Sequence, residues 1–135
     1  MRKAGWIVVT FAAMYLIATI VGFATYLLIS PRVMWISVFT LMPIASAALI
    51  YGYLRKMQFS RDSSLRETAH LVSCWISCSF AFDAVTYILI VPAASHAPPN
   101  WTFFQDQSPW IWFSYAVLLV SAVVGRWMYL RNLHA

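Results

Sequence analysis

Long apolar runs alternate with short polar punctuation along this chain, and the runs exceed the length of helices or strands in a soluble core. Four stretches, about residues 4–29, 33–54, 69–93 and 110–130, are almost wholly apolar. Each meets the roughly 20 residues that carry an α-helix across about 30 Å of hydrocarbon. Between them lie a Ser30-Pro31-Arg32 turn, a polar linker over 55–68 and a loop over 95–109. The pattern predicts an all-α polytopic membrane protein with four transmembrane helices in a bundle, a single transmembrane domain over 1–135. Four spans use nearly the whole chain, so no separate extramembrane domain is expected. The first run follows Arg2 and Lys3 as a signal peptide would. Its apolar stretch is about twice a signal h-region and no small-residue cleavage site follows, so it is read as a retained span.

Composition changes this picture only by closing alternatives. The chain is 62% hydrophobic, 17% aromatic and only 10% charged, where soluble domains carry about a quarter charged residues. A soluble domain of this size buries only about two-thirds of the surface its unfolded chain exposes, too little to hide so much apolar area. A disordered chain, a disulfide-stapled secreted domain and a cytosolic enzyme are therefore excluded. The net charge of +5 comes from residues clustered between the apolar runs, which points to membrane topology and away from nucleic acid.

Cytoplasmic loops carry the Lys and Arg excess. Arg2, Lys3, Arg55, Lys56, Arg61, Arg66, Arg126 and Arg131 fall on one side of the four spans and Arg32 alone on the other. This predicts an integral protein of a bacterial cytoplasmic (inner) membrane with both termini cytoplasmic. Aromatic belts agree, with Trp6, Tyr51, Tyr53, Trp127 and Tyr129 assigned to the inner interface and Trp35, Trp101, Trp110 and Trp112 to the outer one.

The chain also resembles itself. The second and fourth runs open with Ser30-Pro31 and Ser108-Pro109 and close with Tyr53-Leu54-Arg55 and Tyr129-Leu130-Arg131. Ser before Pro suits a helix start, since the hydroxyl caps free N–H groups and the ring presets the first helical φ. Thr25-Tyr26 in the first run matches Thr86-Tyr87 in the third, which aligns Gly22 with Asp83. Two readings stand: chance matching in a chain rich in Leu, Ile and aromatics, or two parallel repeated helical hairpins related by an axis along the membrane normal.

Asp83 carries the candidate chemistry. It lies slightly outward of the middle of the third run and is the sole ionisable residue at that depth. A charged carboxylate there costs at least about 2.5–3.5 kcal/mol on insertion scales, so it must face the bundle interior, be protonated or bind a cation. Ser79, Thr86 and Tyr87 stand at i−4, i+3 and i+4, within an arc of about 100° on an α-helix. Depth counting brings Thr19 and Gly22, Thr40 and Pro43, and Tyr115 and Ser121 to the same layer. The candidate binding residues are thus Asp83, Ser79, Thr86, Tyr87, Thr19 and Tyr115. The acid is either a neutral glue among hydroxyls, a proton or cation site, or the mate of a partner subunit's cation.

Small residues spaced by a helical turn, Ala18 with Gly22 and Ser121 with Gly125, predict close helix packing. Pro43 inside the second run frees a carbonyl and predicts a kink. His70, Cys74 and Cys78 form a one-turn ladder, read as packing because other spans offer no further His or Cys. The aromatic loop 95–109 either anchors at the interface or folds over the bundle mouth.

Three function classes follow. The first is a small transporter or channel for a proton, cation or small amphipathic solute, using Asp83. The second is a non-catalytic accessory or assembly subunit of a larger membrane complex, with Asp83 as packing glue. A membrane enzyme ranks below both, because no nucleophile, base and orienting group meet at one depth. No cofactor and no metal are expected. The expected partners are the lipid bilayer and either further copies of the chain, as a homo-oligomer, or another membrane subunit, with no nucleic acid.

Overall fold

A computed structural model describes residues 3–133, so Arg2 of the basic cluster lies outside the described residues. The elements are α1 (Lys3–Leu28), α2 (Pro31–Met57), α3 (Arg61–Asp83), a π-helical segment (Ala84–Ile90), α4 (Val91–Ala94), α5 (Phe103–Asp106) and α6 (Trp110–Asn132). Four spans are long and apolar enough to cross a membrane: α1, α2, the composite Arg61–Ala94 and α6. The chain is an integral membrane protein built as an all-α bundle, with no strand among the described residues.

Local chemistry explains the boundaries. Ser30 is extended and its side chain accepts the Val33 N–H at 3.3 Å, with Pro31 opening α2. The polar linker expected over 55–68 shrinks to Gln58-Phe59-Ser60, because charge does not prevent a helix from continuing beyond the hydrocarbon. Arg55 and Lys56 occupy the last turn of α2 and Asp62 the first turn of α3, each matching the helix dipole. Gln58 turns left-handed at φ 52° and Ser60 caps α3. The second Ser-Pro pair behaves otherwise: Pro109 stands at the cap of α6, and no side chain caps it.

The third span changes pitch where Pro92 enters. A proline in a helix removes one N–H and displaces the carbonyl four residues back. That carbonyl, of Ile88, accepts the Asn100 N–H of the 95–109 loop at 3.0 Å. The π-helical segment ends at this point.

Contacts at the helix ends define two poles. Lys3 forms an ion pair with Glu67, and the Asn132 amide reaches the Tyr51 hydroxyl at 3.4 Å, so the start of α1, the end of α6 and the α2–α3 turn share one pole, the terminal end. The Ser30 turn and the 95–109 loop form the other, the loop end. Lys56 lies 5.8 Å from the Trp6 ring and Arg131 5.5 Å from that of Trp127, cation–π contacts suited to a headgroup layer. Tyr53 and Tyr129, assigned from sequence to that belt, are instead buried core residues. Tyr129 donates to the Phe59 carbonyl at 2.5 Å, holding the turn against α6.

The backbone of α2 runs close to both α1 and α6, whereas α1 and α3 meet chiefly through side chains. At the α2–α6 seam, a Cβ on Gly125 would lie 2.7 Å from the Ala47 carbonyl and 3.0 Å from Ile50, so the Ser121–Gly125 pair does permit close approach. The best-packed core, around Ile50, Tyr53, Leu54, Leu71 and Trp75, fills the terminal half. The loop half is packed more openly, and the cavity lies there.

Candidate functional site

Met14, Met42 and Leu118, all buried, form the floor of a cavity of about 410 Å³ in the loop half of the bundle. Its wall takes Tyr15, Thr19 and Gly22 from α1, Ser79 and Asp83 from α3, Tyr87 from the π segment and Tyr115 from α6. Five of the six residues read from sequence therefore meet: Asp83, Ser79, Tyr87, Thr19 and Tyr115. Thr86 does not line the cavity. The π segment has about 4.4 residues per turn in place of 3.6, which keeps i+4 on the face of Asp83 and carries i+3 away from it.

Asp83 is held by two phenols. The Tyr115 hydroxyl donates to Oδ2 at 2.7 Å and the Tyr15 hydroxyl to Oδ1 at 3.0 Å. These bonds replace part of the hydration that a carboxyl loses on burial, and they join α1, α3 and α6 through one group. In the sequence Tyr15 stands only in a helical stripe with Thr19, Gly22 and Tyr26, at i, i+4, i+7 and i+11. Counting Cα depth hides it, because its hydroxyl reaches about a helical turn away from its own Cα.

The short hydroxyls behave differently from the phenols. Thr40 bonds the Ile36 carbonyl at 2.8 Å and faces outward, so it does not line the cavity. Ser121 bonds Val117 at 2.7 Å in the α2–α6 seam. Ser and Thr side chains habitually satisfy themselves on their own helix in this way. Pro43 lies inside a continuous α2.

Gly22, expected to bring helices together with Ala18, does the reverse. A Cβ there would find nothing within 4 Å, and both residues line the cavity. The aligned pairs Gly22 with Asp83 and Tyr26 with Tyr87 all border the same space.

The loop folds over the mouth. Phe103 stacks on Tyr87 at 4.8 Å and 10°, and Phe104 on Phe80 at 4.7 Å and 18°. Phe103 and Gln107 complete the cavity wall, a role for this loop that sequence left open. Elsewhere, Cys74 sits 3.8 Å from the His70 ring nitrogen, and Cys78 is exposed on the same helix. No Lys, Arg or His lines the cavity among the described residues.

No protein-family model, curated protein or solved structure matches the chain. Its class therefore rests on fold and site: a four-helix integral membrane protein with one carboxyl set in an aromatic cavity.

Proposed function

We propose that this protein is a small transporter or channel that binds a proton, a cation or a small amphipathic solute at Asp83. The supporting observation is that Asp83 borders a cavity of about 410 Å³ together with Ser79, Tyr87, Thr19 and Tyr115. A carboxyl that served packing alone would gain nothing from adjoining open volume. In this reading the membrane is a bacterial cytoplasmic membrane, with the cation-rich terminal end inside, and the protein works as a homo-oligomer or beside another membrane subunit. The test is flux in proteoliposomes: Asp83→Asn abolishes it while the thermal melt of the purified variant shows a folded protein. Unchanged flux in that variant removes the acid from the mechanism.

A second reading has its own support. The Tyr15–Asp83–Tyr115 clasp ties three helices, as an accessory or assembly subunit with a structural acid would require. It predicts co-purification with another membrane protein and an Asp83→Asn variant that loses stability and partner together.

A further inference from the structure

Resting on the transport reading, we infer that the cavity takes a lipophilic organic monocation, an aromatic or alkyl ammonium with its charged centre at Asp83 and its apolar body among the surrounding rings. Charge narrows the class first. One carboxyl and no basic residue line the space among the described residues, so an anion meets only repulsion and a dication leaves one charge unpaired in a low-dielectric wall. The carboxyl retains acceptor capacity, because each phenol uses one of about four lone-pair sites on its two oxygens.

The remaining wall selects against a bare metal ion. Calcium and its kin want six to eight oxygen ligands, whereas this wall is largely hydrocarbon and ring, including Phe23, Tyr26, Trp35, Tyr87 and Phe103. Ring faces attract weakly hydrated organic cations. A cavity of about 410 Å³ falls in the range of small-molecule sites, about 300–1,000 Å³. Gly22 keeps part of that volume open, since a side chain there would meet no atom within 4 Å of its Cβ.

The experiment compares benzyltrimethylammonium with neopentylbenzene, the neutral isostere with carbon in place of nitrogen, by equilibrium dialysis against the protein in nanodiscs, each corrected for empty nanodiscs. Wild type is expected to bind the cation at least tenfold more tightly. Asp83→Asn should erase that preference and leave the isostere unchanged, while Gly22→Leu, which fills the void and keeps the carboxyl in the sequence, should lose both ligands. The wild-type comparison needs no variant to fold. Equal binding of cation and isostere overturns the monocation inference and leaves the solute cavity standing. Binding of neither, or full binding in folded Gly22→Leu, overturns both the inference and the use of this cavity. Cation binding without proteoliposome flux sustains the ligand class and sinks transport.

Discussion

Tyr115 and Asp83 are 32 residues apart in sequence, and their side chains meet at 2.7 Å inside the bundle. With Tyr15 at 3.0 Å on the other oxygen, the contact makes one carboxyl the junction of three helices. A hydrogen bond contributes about 0.5–1.5 kcal/mol net, and up to about 3 kcal/mol where the partner is charged. Tyr115→Phe should therefore lower the thermal midpoint in mild detergent, and Tyr15→Phe should do so less, through its longer bond. In the Asp83→Asn background the loss from Tyr115→Phe should shrink. An equal loss in both backgrounds would show that the phenol stabilises by packing and not through the acid.

Two glycines predict opposite outcomes. Gly125→Ala places a methyl 2.7 Å from the Ala47 carbonyl, and overpacking of this kind costs about 1–3 kcal/mol. Gly22→Ala enters open space and should be neutral or stabilising by up to about 1 kcal/mol through helix propensity. Thermal melts of the two variants check the contrast, and equal melts would refute the close α2–α6 seam.

Glu67 is 7% exposed, and its partner Lys3 comes from the start of α1. Removing one member of a buried pair leaves an uncompensated charge, at a cost of about 3–5 kcal/mol when both are buried. The Lys3 side chain is 41% exposed, so Lys3→Met should cost about 1–3 kcal/mol, reduced by solvent screening. Lys3→Met with Glu67→Leu should recover most of that loss, measured by melting midpoint. No recovery would mean that the pair is not coupled.

Phe103 covers the cavity by stacking on Tyr87 at 4.8 Å. Aromatic pairs contribute about 0.5–1.5 kcal/mol beyond burial, so Phe103→Ala should loosen the loop more than it destabilises the bundle. The expected result is faster maleimide labelling of a cysteine introduced at Thr19, in a background with Cys74 and Cys78 replaced by Ala. An unchanged rate would place the access route away from the loop.

The spans, the all-α class, the single-ended gathering of cations and the inward demand of Asp83 were legible in sequence, because each follows from transfer free energies that act on one residue or one run at a time. The close seam at Gly125 was legible too, through its spacing from Ser121. What the tertiary structure decided was which groups meet the acid and where space remains. Thr40 and Ser121 bond carbonyls of their own helices, so it is the long phenols of Tyr15 and Tyr115 that cross between helices to Asp83. The π segment before Pro92 keeps Tyr87 on the cavity wall and leaves Thr86 off it. Gly22 and Gly125 look alike in the chain, yet one borders a void and the other a carbonyl, since packing depends on the neighbour that a position faces and not on the residue that occupies it.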